Sequence, residues 1–504
     1  MDFNLKKMKN SFKISILCFL VFISSCKNVL DIDPQQSIDA STAFSTPENI
    51  RAAITACYVP LKSTNLYGNR MVTLGEALSD NGRSTNKSGR LVNESRNTRG
   101  AHYSHWGTSY NALNRINNLI LAIPSFTAAG VTEAIKNGWL SELKFLRALY
   151  YFDLVKSYGY IPGADVAGRN FGGVPNILLP TKTGDEALLN KPGRAPQTEI
   201  YTQIYKDLDE AIVNLPLLAS NPTRATKEGA QALYSRVALY NRDYQKCIDM
   251  SNLVIATRGN TLSTAATYLT GWSGIIHPES LFEVAFTIQS ESVGVNESLQ
   301  TAFTTLVARG NRATQAGFGD LVPNNVLLTA LGITSTNNGT ANNAAITARS
   351  TDVRNLLFEL GNTTRGLPFI ECTKFISKNG FPYLDNVPVI RVAEMYLNRA
   401  ESFARLATPN NVSALIDVNT IRTNRGLALL TAIAGQTLID EILLQRRLEF
   451  AFEGLRFFDL KRLGLEIFKP ASSTTVTFDD VVILPGIPIG DVDGNPNLKQ
   501  NFGY

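Results

Sequence analysis

The 504-residue chain is predicted to be mainly α-helical, with antiparallel helix pairs forming a scaffold that carries an irregular, loop-rich region. Three observations predict this. Lys227–Tyr240 and Tyr244–Arg258 read as two helices joined by the short turn Arg242-Asp243. The first places Ala230, Leu233, Val237 and Tyr240 on one face. Val389–Leu406 and Val412–Thr423 repeat the arrangement, so the pairs read as tetratricopeptide-like, although insertions remove any strict period. Residues 260–385 instead combine Gly, Thr and Asn with short apolar runs such as Ser280–Phe286, which predicts irregular structure with a few strands.

Taken in order, the elements begin with Lys6, Lys7, Lys9 and Lys13 ahead of the apolar run Ile14–Ile23. That run is about ten residues, half of the roughly 20 that a membrane-spanning helix needs. Ser24, Ser25 and Cys26 follow it. A basic stretch, a short apolar stretch and small residues make a signal peptide, and apolar-small-small-Cys is the pattern of a lipobox. Residues 1–25 are therefore expected to be removed, and Cys26 to carry lipid, with several acyl chains together giving stable anchoring. An ordinary cleaved signal beside a chance cysteine is the other reading of the same residues. Residues 26–46 read as an extended leader, and 47–504 as a single domain with its scaffold over about 47–258 and 387–465.

Thr46 and Pro47 suit the cap and first position of a helix running to about Leu61. Ser79–Ser104 is rich in Asn, Ser, Gly and Arg and reads as a long surface loop, a feature that is uncommon in compact domains and often functional. Helices are expected over His105–Ile123 and over Thr132–Ser157, where Leu140, Leu143, Leu146, Tyr150 and Leu154 lie near helical spacing. A Pro/Gly-rich connection reaches Pro196, and Thr198–Leu215 forms a further helix closed by Pro216. The Asn/Thr/Ala-rich tract Thr334–Thr347 reads as a mobile loop.

Composition narrows the function. The chain is 44% hydrophobic and 18% charged with a formal net charge of +5, and four of its cations sit in the signal, so no nucleic-acid partner is indicated. Cys57, Cys247 and Cys372 are odd in number and far apart, which implies no disulfide framework. His102 and His105 lack a third ligand in their neighbourhood and read as capping or surface residues, so no metal site is expected. Asp491-Val-Asp-Gly-Asn begins like a calcium loop, but Pro496 stands at the glycine position and Phe502 at that of the bidentate glutamate. Glu449 and Glu453 lie among Arg446, Arg447, Arg456, Lys461 and Arg462 and read as a salt-bridge network rather than a catalytic pair. No catalytic residue and no cofactor is expected.

The ordered segments resemble a known family. Cys26, Leu30-Asp31, Pro34-Gln35, Phe44 and Thr46 come first; Trp106 and Tyr110 precede Ile116-Asn117-Asn118; Phe145–Phe152, Tyr158-Gly159 and Gly173-Val174-Pro175 follow. Ile390–Glu401, Ile421-Arg422, Asn424–Leu427, Arg446–Phe450, Glu453-Gly454, Arg456, Asp459–Arg462, Pro488-Ile489 and Asn495–Asn501 complete the series. Together they are similar to the SusD/RagB family of outer-membrane nutrient-binding lipoproteins. The resemblance implies four tetratricopeptide-like helix pairs supporting a ligand-binding region, and an address on the outer membrane facing outward. It also implies capture of oligosaccharides for a SusC-like TonB-dependent transporter, without catalysis; some members capture peptides. A lipid-anchored scaffold that binds only protein, and a glycoside hydrolase, are the competing readings.

Sugar rings pack their C–H faces on aromatic side chains, and their hydroxyls need amide, carboxylate or guanidinium partners. The loop Ser79–Ser104 supplies Asn86 and Asn93 besides Asp80, Asn81 and Arg83, and it ends beside Tyr103 and Trp106. The irregular region supplies Trp272. The expected glycan-binding set is Asp80, Asn81, Arg83, Tyr103, Trp106 and Trp272, set against core roles for Trp106, Trp139 and Trp272. Arg447, Glu449, Glu453, Arg456 and Asp459 are expected to tie the C-terminal helices to the scaffold, outside that site.

Overall fold

Helices form where apolar spacing and capping residues coincide. In the computed structural model, which describes residues 44–219, 221–378 and 381–504, Thr46 Oγ1 accepts from Asn49 N at 3.1 Å and opens α1, Pro47–Tyr58. Cys26, the segment 1–25 and the leader to residue 43 lie outside the described residues. The helices α2 (Arg70–Ala77), α3 (Trp106–Ala122) and α4 (Glu133–Tyr158) follow, the last capped by Thr132. The next are α5 (Gln197–Asn214), α6 (Lys227–Tyr240) and α7 (Tyr244–Arg258). Thr226 caps α6 and Asp243 caps α7, and Arg242 takes a φ of 59° in the turn between them, so both ends of this pair fall where the sequence placed them.

The C-terminal helices are α8 (Val392–Arg405), α9 (Asn411–Asn424), α10 (Gly435–Glu449) and α11 (Arg456–Leu463). Each helix of the scaffold packs on the next: α3 on α4, α4 on α5, α5 on α6, α6 on α7, α7 on α8, α8 on α9 and α10. The row stays unbroken where the irregular region departs, because α7 and α8 meet directly. Small residues permit the close approach. Ala400, Ala404 and Ala414 form a buried cluster with Val418, Leu438 and Ile442. Residues Ile54–Tyr504 make one compact unit.

Two-stranded ribbons replace a large sheet: β1 (Gly82–Ser84) with β5 (Leu321–Pro323), β2 (Ser280–Val284) with β10 (Val387–Arg391), β3 (Leu306–Ala308) with β4 (Asn311–Gln315), β6 (Ile333–Thr336) with β7 (Ala345–Arg349), β8 (Phe358–Leu360) with β9 (Ile370–Cys372), and β11 (Ile467–Lys469) with β12 (Thr474–Val476). All are antiparallel. Three expectations change here. Val389–Arg391 is the end of a buried strand rather than the first turn of a helix, because the β-branched run pairs with β2. Thr334–Thr347 is not a loop throughout but largely a hairpin, its turn made by Asn337 and Gly339 at φ 54° and 71°. Ser79–Ser104 is not a surface loop throughout. It contributes β1 and the helical turn Val92–Ser95, and its Asn97 is buried, donating from Nδ2 to Leu78 O at 3.0 Å.

Buried charges hold the irregular region to the scaffold. Arg391, at the start of α8, donates to Glu279 Oε2 (2.9 Å), Glu449 Oε1 (3.2 Å) and both oxygens of Glu453 (2.8 Å each). Arg425, just past α9, donates to both oxygens of Glu449 (2.8 Å each) and to Glu279 Oε1 (3.1 Å). Beside this knot, Arg462 holds Glu401 through two bonds of 2.7 Å, and Arg446 and Arg462 share Asp459. The C-terminal arginines and carboxylates thus tie helices together, but Glu449 and Glu453 pair with Arg391, Arg425 and Lys374 rather than with the neighbouring Arg446, Arg447, Arg456, Lys461 and Arg462 expected from the sequence.

Acid should loosen this arrangement. Burial alone would raise the Glu401 carboxyl, but the Arg462 charge and hydrogen bonds outweigh it and lower it from 4.5 to about 2. A carboxyl depressed on folding stabilises the fold above its unfolded value and loses that contribution as pH falls from about 4.5 toward 2, here about 3 kcal/mol. Urea unfolding of Glu401→Gln is expected to show a shallower stability loss between neutral and acid pH than the parent. Arg391→Met, which strands buried carboxylates, is expected to cost about 3–5 kcal/mol at neutral pH.

Candidate functional site

An open cleft lies between α3, the connection 175–192 and the C-terminal residues 490–498, with a volume of about 610 Å³. That is within the range of small-ligand sites. Residues 106, 110, 114 and 117 recur at four, four and three, so Trp106, Tyr110, Asn114 and Asn117 share one face of α3 and supply a wall.

The opposite wall is fixed by bonds to its backbone. Asn114 donates from Nδ2 to Thr181 O (3.0 Å) and accepts from Thr181 N at 2.7 Å. Asn117 donates to Ile177 O at 2.8 Å, and Tyr110 Oη to Pro175 O at 2.8 Å. Arg147 steadies Asn117 from behind at 3.1 Å while it is itself paired with Asp207. The third wall is the C-terminal segment, held by Asn495 Nδ2 on Pro192 O (2.8 Å) and Lys191 Nζ on Gly494 O (2.7 Å). Arg194 anchors its end: it donates to Gly172 O and Gly173 O (2.7 Å each) and to Asn501 Oδ1 (2.6 Å). Burial lowers this guanidinium to about 10.

What remains open to a ligand is an aromatic floor with polar groups above it. Trp106 and Tyr110 lie with ring centroids 5.0 Å apart, Tyr110 half-buried and Trp106 only 4% exposed. Asn111, Asn190 and Asp491 are exposed along the rim. Asp491 is the one carboxylate among the lining residues. The set offers amide and carboxylate hydrogen bonds to hydroxyls and an edge for apolar contact. Among the described residues, no group of three His, Cys, Asp or Glu side chains is placed to hold a metal ion.

The six residues expected to bind glycan do not converge. Trp106 alone lines this cleft. Trp272 is a correction: it is 0% exposed, its ring covered by Lys374 (4.7 Å), Lys378 (5.1 Å) and Arg391 (5.4 Å), so it packs the irregular region. Tyr103 is a second correction, buried with its ring stacked on Phe458 at 5.2 Å. Asn81 is a third, fully buried between Glu76 (2.9 Å) and Arg447 (2.8 Å).

Asp80 is held bidentately by Arg456 at 2.7 and 2.8 Å. Burial would raise its carboxyl, but Arg456 outweighs burial and holds it below the usual range. Asp80 and Asn81 therefore fasten the chain to the C-terminal helices. Arg83 is half-buried, over the Phe369 ring at 4.8 Å, and lines a different, smaller pocket. His105, expected at a surface or cap, stands at the N-cap position of α3 without a side-chain cap bond, its ring buried between Ser109 (3.0 Å) and Ser157 (3.1 Å), and burial lowers it to about 4.

Sequence reasoning missed Asn111, Asn114, Asn190 and Asp491 as a set. The spacing on α3 carried a signal for Trp106, Tyr110 and Asn114; nothing local could join them to residues near 190 and 491.

The architecture is thus a row of helix pairs that carries an irregular region and an amide-rimmed cleft. The SusD family model matches residues 369–504, and a model described as "Starch-binding associating with outer membrane" matches residues 29–239. A SusD-like protein of Formosa agariphila is 25% identical over 541 residues, covering 99% of this chain and all of that one. The starch-binding protein SusD of Bacteroides thetaiotaomicron is 30% identical over 139 residues, 26% of this chain and 24% of its own. Among solved structures, a SusD superfamily protein of Bacteroides thetaiotaomicron superposes with TM-score 0.76 at 25% identity, covering 90% of this chain and 99% of that one. A laminarin-binding SusD-like protein superposes with TM-score 0.68 at 24% identity over 92% of this chain and all of that one. The chain belongs to the SusD/RagB family.

Trp272→Ala is expected to cost about 3–5 kcal/mol, as large core truncations do, measured by urea unfolding without any ligand. A stability unchanged from the parent would return Trp272 to the list of surface contacts.

Proposed function

We propose that this protein captures oligosaccharides at the outer membrane and passes them to a SusC-like TonB-dependent transporter, without chemical change to the ligand. The cleft on α3 carries the reading, with its aromatic floor of Trp106 and Tyr110 beneath Asn111, Asn190 and Asp491. Hydroxyl-rich ligands need such a set, since polar groups buried without partners are costly. The single carboxylate of the cleft supports capture rather than hydrolysis, because glycosidases use a facing pair. Relatives described as starch-binding and laminarin-binding support a glycan as the ligand. The short helix Gly184–Leu189 beside the cleft exposes Leu188 (70%) and Leu189 (84%), an apolar surface suited to a protein partner such as the transporter. Lipid on Cys26 would hold the protein at the membrane during this exchange.

Titration calorimetry of the chain beginning at Lys27 tests the cleft, with laminarin and malto-oligosaccharides as probes alongside a wider oligosaccharide panel. Asn111→Ala and Asp491→Ala are each expected to weaken binding about three- to tenfold, the loss of one hydrogen bond to a neutral or charged partner. Binding that is absent across the panel, or unchanged from the parent in both variants, would remove this reading. Separately, Cys26→Ala is expected to abolish labelling by radioactive palmitate and release the protein from the membrane fraction; a variant that stays membrane-bound argues against the lipid tether.

A further inference from the structure

The residues that begin with β1 enclose a second, smaller pocket. Gly82–Ser84, Asn86 and the turn Val92–Arg96 face the strand Ile467–Lys469 and residues 470–472 across a space of about 190 Å³. Its polar lining is Arg83, Arg96, Ser84, Ser95, Ser472 and Asn86, and no Asp or Glu is among the lining residues.

The neighbouring acids are already committed. Asp80 belongs to Arg456, Glu94 is bonded to Arg70 at 2.6 Å, Glu371 is paired with Lys87 at 3.4 Å, and Asp320 lies 3.7 Å from Arg90. Neither Arg83 nor Arg96 has a carboxylate partner among the described residues. Arg83 Nε is buried with no acceptor, and its Nη2 reaches only Asn338 O at 3.4 Å. Phe369 braces the guanidinium from one face at 4.8 Å. Lys469 does not compensate: its Nζ turns away and donates to Ala77 O and Ser79 O at 2.7 Å each, so its aliphatic stem is what faces the pocket.

A half-buried guanidinium with an unmet donor and a second guanidinium exposed at the mouth make a seat for an oxyanion, because the planar fork matches carboxylate and sulfate oxygens. The volume suits one charged substituent or ring rather than a chain.

We infer that the pocket between Arg83 and Arg96 binds the carboxylate or sulfate-ester group of an acidic oligosaccharide, which makes an anionic glycan the preferred cargo. This rests on the oligosaccharide-capture reading and names its ligand class.

The test uses matched pairs on the chain beginning at Lys27: trigalacturonic acid against its carboxyl-reduced form, and a carrageenan tetrasaccharide against its desulfated form. Calorimetry at low and high salt is expected to show at least one charged member binding about tenfold or more tighter than its neutral match, with the preference falling as salt rises. The pair that discriminates identifies carboxylate or sulfate. Arg83→Met and Arg96→Met are each expected to remove most of that preference while melting like the parent. Arg96 is exposed, so its variant reports on the pocket even if Arg83→Met is unstable.

Equal affinity for charged and neutral members, no binding of any charged member, or a preference surviving in both variants would overturn the inference. Neutral binding lost in Asn111→Ala and Asp491→Ala without any charge preference would uphold the cleft and overturn the anionic pocket. Charge preference lost in the arginine variants but untouched by the cleft variants would uphold the pocket and remove the cleft.

Discussion

The irregular region stays on its helical scaffold because four buried charged residues from four separate segments satisfy one another, with Glu453 and Arg354 completing the set. Glu279 lies just before β2, Arg391 ends β10, Arg425 follows α9 and Glu449 ends α10, and none is more than 1% exposed. A carboxylate or guanidinium taken from water without a partner is costly, so any arrangement that separates these segments leaves uncompensated charge. Glu279 also accepts from Ala393 N at 3.3 Å, so the same carboxylate serves the free N–H groups at the start of α8. Apolar packing brings the helices together without direction; the knot fixes which end meets which.

The cleft depends on this constraint at one remove. Arg447 and Arg456 grip Asp80 and Asn81, which sets the start of the segment that carries β1, the basic pocket and the approach to α3. At the other end, Lys461 donates to Lys156 O (2.8 Å) and Ser157 O (2.9 Å), fastening α11 to the C-terminus of α4. Asn501 then bonds Tyr158 O at 2.9 Å and brings residues 490–498 across from α3. Tyr110, Asn114 and Asn117 bond the carbonyls of Pro175, Thr181 and Ile177, which fixes the walls of the cleft without a sheet beneath them.

Much of the scaffold was legible. The pair α6 and α7 has its boundaries in the sequence because Thr226 and Asp243 cap it and its apolar face keeps a helical period. The strand Val387–Arg391 was not legible: an apolar β-branched run ahead of a helix extends the helical pattern until a partner strand more than 100 residues away claims it. The site was read less well than the fold. Asp80, Asn81, Tyr103 and Trp272 have the chemistry of sugar contacts, and the same chemistry suits buried partners for Arg447, Arg456, Phe458 and Lys374.

By itself the sequence determined the signal pattern ahead of Cys26, the mainly helical class, the paired helices and the ordered motifs of the family. These are local or periodic properties, set by residue type and spacing along the chain. Only the tertiary structure decided which aromatic and amide side chains meet water. Trp106 and Trp272 stand in polar surroundings of similar composition, yet one borders a cleft and the other lies beneath three cations. Exposure depends on what the rest of the chain brings against a residue, and those partners come from segments as far apart as Asn114, Asn190 and Asp491.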